Sequence, residues 1–272
     1  ANLLNVDVAK LGINANFFDI GGHSLLAMRM VSEIGRELQV QVAVSDVFAL
    51  GTISLLAERL EQQEAAVEVI QPVDRSGLLP VSFSQQRLWF IDRLEGGSAQ
   101  YNQPIVLRLS GALDKAALQA ALDGIVARHE ILRTTYSAHD GLPKQRVNPA
   151  CSLPIIQHDL LGLPQPQQTI EVGALVDKEA NTPFDLSADL MVRARLLVLA
   201  EQESLLLLTL HHIASDGWSL SVFTDEFVSL YEHALTGQQE NPLAPLMLQY
   251  GDYAHWQRTH MQGYAQALHR DY

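Results

Sequence analysis

The stretch Leu210-His211-His212-Ile213-Ala214-Ser215-Asp216-Gly217-Trp218-Ser219 decides how most of this chain is interpreted. It continues the apolar run Ser204 to Leu210, which predicts a buried β-strand. Because successive side chains of a strand point to opposite faces, we expect His211 and His212 to meet different surroundings and to have different roles. A histidine at a strand end can take up or hold a proton near neutral pH. The stretch therefore predicts a site of proton-transfer chemistry.

Strand and helix patterns alternate on both sides of this stretch. Val192 to Leu199 is a second apolar run, and the polar tripeptide after it predicts a hairpin or two neighbouring buried strands. Ile105 to Leu109 predicts another strand, and Asp114 is the predicted N-cap of the helix that follows it. After the histidines, Ser219 is the predicted N-cap of a helix that ends at Gly237. This alternation is typical of an α/β domain.

The residues alone leave three roles open for the histidine segment. The first is proton transfer, with Asp216 orienting the loop and Gly217 allowing a backbone angle or a close approach that a larger residue would resist. The second is a metal site made by His211, His212 and Asp216. Adjacent strand histidines diverge, however, and no third imidazole or thiolate lies nearby, so we predict no metal site. The third is a purely structural pair of partly buried histidines.

The first sixty residues have a different pattern. Leu26, Met30, Ile34 and Leu38 recur at helical spacing, and Ile53 to Leu60 carries a second apolar stripe. The periodicity stops between Glu61 and Leu79, where polar residues, glycine and proline suit an exposed connector. We therefore predict a helical domain at residues 1–61, a linker at 62–78 and an α/β domain at 79–272.

Ser24 stands out within the helical domain. It follows two glycines and a histidine and directly precedes the helix that begins near Leu25. This position would expose its hydroxyl and offer a favourable helix-end field to a phosphate attached there. The alternative is that Ser24 is simply the N-cap of the helix.

Composition excludes several classes of function. The chain has 272 residues, and 18 Lys and Arg against 31 Asp and Glu give a formal net charge of −13, so nucleic acid and anionic membranes are poor partners. Cys151 is the single cysteine, which rules out an internal disulfide and any cysteine-based metal site. The start shows no signal-peptide pattern and the longest aliphatic run is Leu205 to Leu208. We therefore expect a soluble, cytoplasmic protein.

The Ser24 region resembles a known family. Asn16-Phe17-Phe18-Asp19-Ile20-Gly21-Gly22-His23-Ser24-Leu25-Leu26 is similar to the core motif of peptidyl carrier proteins of nonribosomal peptide synthetases. The resemblance implies an all-α four-helix bundle, here with its first helix clipped. It also implies 4'-phosphopantetheine attached covalently to Ser24, whose thiol holds an aminoacyl or peptidyl group as a thioester. A phosphopantetheinyl transferase and adenylation domains would then be partners.

The histidine stretch resembles the H-H-x-x-x-D-G signature of condensation domains, the peptide-bond-forming units of the same synthetases. Three further stretches agree with that family in its order: Ser82 to Ile91, Arg128 to Tyr136 and Tyr250 to Arg258. The resemblance implies a lobe like that of chloramphenicol acetyltransferase. It implies that His212 acts on the acceptor amine, as general base or by positioning it, that His211 and Asp216 are mainly structural, and that Gly217 shapes the site. For the other prominent motif residues we favour packing and a buried ion pair: His129, Glu130, Arg133, Arg87 and Trp89.

The order of the two domains implies a direction of transfer. A carrier that precedes a condensation domain would supply the donor acyl thioester, and the acceptor carrier would lie downstream. The chain ends about where the first of two lobes would be complete, so we expect residues 1–272 alone to condense poorly or not at all. Two alternatives remain: a starter or ester-forming acyltransferase of the same superfamily, and a noncatalytic docking module that recruits a partner enzyme.

Overall fold

The computed structural model describes residues 2–4, 6, 11–38, 40, 42–61, 70–237 and 240–268, with side chains up to residue 260. The chain divides into two compact units, Ala1–Val69 and Ile70–Tyr272. None of the helices in these described ranges is long and apolar enough to cross a membrane.

The first unit is helical, as predicted. After a short 3-10 helix at Asn2–Leu4 it contains α1 (Ser24–Leu38), α2 (Val44–Leu50) and α3 (Ile53–Glu61). Its core is formed by five buried apolar side chains: Phe17, Ala27, Val42, Val47 and Leu56. The predicted α1 and α3 are confirmed, whereas α2 was missed. The first helix was predicted at the start of the chain, where residues 1, 5 and 7–10 lie outside the described residues.

The loop before α1 is fastened to the junction of α2 and α3. The backbone N–H of Phe17 donates to the Gly51 carbonyl at 2.7 Å, and Asn16 forms a bridge with Thr52. Gly51 adopts a left-handed conformation with φ of 63° and ends α2, which a residue with a side chain would resist. The glycine-rich loop is therefore held against the helices that follow it.

The second unit has mixed α and β structure. Its helices are α4 (Phe83–Glu95), α5 (Lys115–Arg128), α6 (Gln165–Asn181), α7 (Gly217–Thr236) and α8 (Tyr250–Leu268), with a 3-10 helix at Glu130–Arg133. Its strands are β1 (Leu79–Pro80), β2 (Asn102–Ser110), β3 (Thr134–His139), β4 (Leu142–Val147), β5 (Ile155–Asp159), β6 (Val192–Ala200) and β7 (Glu203–His211). They form one sheet in the order β1-β4-β3 and another in the order β2-β7-β6-β5.

Strand β7 lies inside the larger sheet and is covered on both faces. Leu206, Leu208 and Leu210 belong to the main core, which includes side chains of α5 and α7. Leu205 and Leu207 belong to a smaller cluster with side chains of α6. The predicted hairpin is confirmed, because β6 and β7 pair antiparallel. The predicted N-cap at Asp114 is also confirmed, since its carboxylate accepts two backbone N–H bonds at 2.9 Å.

Helix α7 begins earlier than predicted. Asp216, not Ser219, is its N-cap, with φ of −143° and ψ of −178°. The Ser219 N–H donates to Asp216 Oδ1 at 2.8 Å, and the Asp216 N–H donates to Ser219 Oγ at 2.7 Å. Both residue types are good caps, and the reciprocal capping box uses the aspartate as the cap and the serine three residues on. The C-terminal end at Gly237 is as predicted, with φ of 66°.

Residues 70–78, the last part of the predicted linker, lie in the second unit. The Val73 N–H donates to Asp252 at 2.7 Å, and Arg75 binds both carboxylate oxygens of Asp252 at 2.6 and 2.8 Å. Arg75 also donates to Glu130 at 2.7 Å. Because Asp252 is only 1% exposed, this is a buried bidentate ion pair that fastens the segment to α8.

Candidate active site

The end of β7 places the two histidines in opposite environments. His211, the last residue of β7, has its side chain 1% exposed, whereas His212 is exposed. This difference confirms the prediction from strand alternation. Only His212 is therefore accessible to a reactant, and the surroundings of each ring must be described separately.

His211 is held as a neutral ring. Burial, with the nearby His212 and Arg193, lowers the pKa of His211 to about 4. The Ile213 N–H donates to His211 Nδ1 at 3.1 Å, so the proton of the neutral ring is on Nε2. Phe184 contacts this ring edge to face, with 5.6 Å between centroids. At neutral pH His211 therefore contributes no positive charge to the site.

A buried charge pair supports the aromatic wall beside His211. The Arg193 guanidinium lies 3.9 Å from the centroid of the Phe184 ring, and it donates to the Thr182 carbonyl at 2.7 Å. Arg193 Nε lies 3.1 Å from a carboxylate oxygen of Glu179, which is 2% exposed. Arg195 also binds Glu179. This pair fixes the end of α6 against β6 and holds Phe184 in place.

His212 is fixed by three neighbours. Its backbone N–H donates to the Tyr101 carbonyl at 2.9 Å, and the two rings are parallel within 3° at a centroid distance of 6.5 Å. Its Nδ1 atom lies 2.6 Å from the Ser215 carbonyl oxygen and 2.9 Å from the carboxamide of Gln103. The ring orientation is therefore determined by hydrogen bonds on one side and an aromatic face on another.

Tyr101, Gln103 and Ser215 were not predicted as site residues. Tyr101, just before β2, and Gln103, on β2, reach His212 because β2 pairs antiparallel with β7, with Asn102 opposite His211. Ser215 lies three residues after His212, in the loop before α7. The pattern of the chain predicts a strand near these residues but contains no signal for its partner or register. Long-range pairing depends on the assembled core, which a local pattern does not report.

Asp216 and Gly217 lie at the start of α7, directly after the histidine loop. Asp216 caps the helix, which agrees with its expected structural role. The expected steric need for glycine at 217 is not observed, because φ is not positive there and an added Cβ would meet no heavy atom within 4 Å in the described residues. Within the same residues, no group of three or more His, Cys, Asp or Glu side chains could hold a metal ion.

The other motif residues have supporting roles. Glu226 of α7 lies 2.5 Å from His129 Nε2 and 3.0 Å from Arg128 Nε, which joins the end of α5 to α7. Trp89 is buried, as expected for packing. Arg87 is exposed, so the expectation that it belongs to a buried ion pair is wrong; it points outward from α4.

Ser24 lies at the start of α1 with its side chain exposed. The Ala27 N–H donates to the His23 carbonyl at 2.9 Å, so His23 is the cap and the alternative of Ser24 as N-cap is wrong. Within the described residues the Ser24 hydroxyl has no hydrogen-bond partner. A Cβ at Gly22 would lie 2.4 Å from the Phe17 ring and 2.5 Å from its carbonyl oxygen, so only glycine fits the loop. This free hydroxyl on a compact loop fits phosphopantetheine attachment.

Comparison with known proteins agrees with this geometry. The Condensation domain family matches residues 75–272, and the Phosphopantetheine attachment site family matches residues 1–60. The chain is 43% identical to malpibaldin synthetase and 40% identical to malpinin synthetase, both of Mortierella alpina. These matches cover 92% and 95% of this chain but only 4% and 3% of those proteins. Cyclosporin synthetase of Tolypocladium inflatum is 38% identical over 93% of this chain and 2% of its own length.

Solved structures agree as well. The X-domain from teicoplanin biosynthesis superposes with a TM-score of 0.64 at 31% identity, covering 72% of this chain and 41% of the X-domain. The first condensation domain of the calcium-dependent antibiotic synthetase gives 0.56 at 25% identity, covering 63% and 42%. The second unit thus has the condensation-domain fold, which is like that of chloramphenicol acetyltransferase. This chain belongs to the condensation-domain family of nonribosomal peptide synthetases and carries a phosphopantetheine attachment domain in its first sixty residues.

Proposed function

We propose that this chain transfers an aminoacyl or peptidyl group from its own carrier domain to the amine of a downstream acceptor aminoacyl thioester, forming a peptide bond. The observation that carries the proposal is the pairing of one accessible imidazole, His212, with one buried neutral imidazole, His211, at the end of β7. A reaction in which an amine loses a proton needs such an accessible, oriented base or hydrogen-bond acceptor.

Ser24 is the proposed attachment point of 4'-phosphopantetheine. When attached, the group supplies a thiol that carries the acyl chain as a thioester. Ser24 itself offers an unbonded hydroxyl, and the N-terminus of α1 favours a phosphate there. We also propose that this domain occupies residues 1–61 as a four-helix bundle and that the predicted linker at 62–78 leads to the condensation domain, its last part, residues 70–78, packing with that domain.

His212 is the proposed catalytic residue. It is proposed to accept or position the proton of the attacking amine as the new C–N bond forms. The thioester carbonyl passes through an oxyanion that hydrogen-bond donors must stabilise, and the C–S bond then breaks, so that the carrier thiol leaves with the proton that the amine has lost. His211 and Asp216 are proposed to act through position: His211 packs behind the loop without charge, and Asp216 fixes the start of α7. Gly217 is proposed to shape the site near the thioester.

The proposed partners follow from the family. They are the donor acyl thioester, a downstream acceptor carrier, adenylation domains and a phosphopantetheinyl transferase. We propose that residues 1–272 alone do not condense efficiently, because holding both reactants at attack distance needs walls beyond one lobe.

Two measurements test the proposal. Incubation of the chain with a phosphopantetheinyl transferase and coenzyme A should add the prosthetic group, detected by intact mass, and Ser24→Ala should abolish the addition. In the full-length synthetase with both carriers loaded, His212→Ala should abolish dipeptide formation while leaving carrier loading unchanged. Unchanged dipeptide formation by His212→Ala would refute a catalytic role.

A docking module is the second candidate. It is favoured by the likeness to the teicoplanin X-domain, which was solved in complex with OxyB, at a TM-score of 0.64 and 30% identity. The His212→Ala experiment separates the two, because a docking surface does not need the imidazole. A starter or ester-forming acyltransferase of the same superfamily is the remaining alternative, and the carrier domain that precedes the condensation domain in the same chain argues against a starter.

A further inference from the structure

We infer that Gln103 is a positioning residue for His212: its carboxamide, together with Ser215, holds the His212 ring in the tautomer that protonates Nδ1 and leaves the lone pair of Nε2 available. The inference rests on the proposed function in assigning the reaction to His212. It concerns a residue of β2, which is more than one hundred positions away along the chain.

Five polar groups meet at this point. His212 Nδ1 lies 2.6 Å from the Ser215 carbonyl oxygen and 2.9 Å from one end of the Gln103 carboxamide. The other end of that carboxamide lies 2.9 Å from the Ser215 hydroxyl. The same hydroxyl lies 3.1 Å from the carbonyl oxygen of His211. The donors and acceptors must therefore be assigned together.

The Ser215 carbonyl fixes the first assignment. A carbonyl oxygen only accepts, so a 2.6 Å contact requires a proton on His212 Nδ1. A carboxamide NH2 group facing that N–H would place two donors against each other at 2.9 Å. The Gln103 carboxamide must therefore present its oxygen to His212, which a half-turn about its last torsion achieves.

This orientation also resolves the bonding of the Ser215 hydroxyl. With the oxygen of Gln103 facing it instead, Ser215 Oγ would meet two acceptors with one proton to donate. With the NH2 group facing it, Ser215 Oγ accepts from Gln103 and donates to the His211 carbonyl. This assignment of the carboxamide therefore gives every group in the network a partner of the right kind, with the single Nδ1 proton of His212 shared between the Ser215 carbonyl and the Gln103 oxygen.

The sheet register explains why Gln103 is the residue in contact. Gln103 lies directly opposite Leu210 in the β2–β7 pair, so both side chains are on the same face. His212 is two residues beyond Leu210 and shares that face. The parallel Tyr101 ring lies beside the imidazole and limits its rotation.

The two adjacent histidines are consequently held in opposite tautomers. His211 accepts a bond at Nδ1 and carries its proton on Nε2, whereas His212 donates from Nδ1. Only His212 then has a lone pair on Nε2, the atom away from the network. Gln103 thus favours the form of His212 that can accept a proton from an amine.

The tautomers can be measured without assaying the reaction. Long-range proton–nitrogen NMR on the 15N-labelled chain should identify His212 as protonated at Nδ1 and His211 as protonated at Nε2. Gln103→Met leaves the Ser215 carbonyl as the remaining acceptor of the Nδ1 proton and should raise the Nε2-protonated fraction of His212 above that of wild type, whereas Gln103→Glu, which keeps an acceptor oxygen, should retain Nδ1 protonation. A wild-type His212 protonated at Nε2 would overturn the inference. Gln100→Met, at an exposed glutamine just before β2, is the matched control and should leave both rings unchanged.

Kinetics of the full-length synthetase test the consequence. Gln103→Met should lower kcat for condensation about tenfold, the value of one neutral hydrogen bond, with the KM for the loaded acceptor carrier unchanged. Gln103→Glu should restore most of the rate, and Gln100→Met should match wild type. If His212→Ala is inactive but Gln103→Met equals wild type, the positioning role is wrong and the proposed function stands. If His212→Ala is fully active, the proposed function fails while the tautomer assignment is still decided by NMR.

Discussion

Acid should destabilise the second unit through His211. The unfolded chain binds a proton at the ordinary histidine pKa of 6.5, whereas burial lowers the pKa of the folded-state ring to about 4. Above pH 6.5 both states are neutral and this stabilisation is complete. As the pH falls from 6.5 to 4 only the unfolded state gains the proton, so the free energy of unfolding declines by about 3 kcal/mol.

The assay is urea unfolding followed by tryptophan fluorescence between pH 7.5 and 4. All three tryptophans, Trp89, Trp218 and Trp256, lie in the second unit, so the signal reports that unit alone. Other groups also titrate in this range. We therefore compare how much the free energy of unfolding falls between pH 7.5 and 4 in the wild type and in a variant that lacks the His211 imidazole.

His211→Asn is the appropriate variant, because its side-chain oxygen can still accept from the Ile213 N–H but does not titrate. The variant should be less stable than wild type at pH 7.5. Between pH 7.5 and 4 its free energy of unfolding should fall by about 3 kcal/mol less than that of the wild type. His255→Asn, at an exposed histidine of α8, is the matched control and should retain the wild-type decline. Equal declines in wild type and His211→Asn would refute the reasoning.

Two further substitutions test contacts in each unit. Gly22→Ala should lower the stability of the first unit by about 2 kcal/mol in thermal unfolding followed by circular dichroism, because its Cβ would overlap the Phe17 ring and carbonyl. Gly12→Ala, where a Cβ meets no described atom within 4 Å, is the control. Equal unfolding midpoints for the two variants would contradict the packing argument. Arg75→Met should lower the free energy of unfolding of the second unit by about 3 kcal/mol in urea, because it leaves the buried Asp252 carboxylate without its cation. Arg75→Lys keeps the positive charge and should lower it less. An unchanged urea midpoint in Arg75→Met would show that the ion pair does not stabilise the unit.

Local pattern was sufficient for much of the fold. The apolar runs of β6 and β7 and the helix after Asp114 are encoded within a few residues, and the structure has them. The start of α7 was misplaced because Asp216 and Ser219 are both strong capping residues, and the choice depends on a reciprocal bond that a single-residue preference does not contain.

Only some features of the candidate site could be predicted from the sequence. The opposite environments of His211 and His212 follow from strand alternation, a purely local property. The contacts of Gln103 with His212 follow from the register of β2 on β7, which is set by packing between segments far apart in the chain. The same limit hid the support of Phe184 by Arg193, because no spacing rule relates an aromatic residue in a loop to an arginine on a neighbouring strand.

Strand β7 has apolar side chains packed on both faces, so the alternation of side chains along it determines which of the two histidines is accessible. Leu206, Leu208 and Leu210 share one side of the sheet and Leu205 and Leu207 the other, so the side chain that ends up in the open is fixed by parity from the middle of the strand. Deleting a single leucine from the run would shift the alternation by one residue, so that the ring now buried would become exposed and the ring now exposed would become buried. The length of this apolar segment is thus as much a part of the chemistry as the histidines themselves.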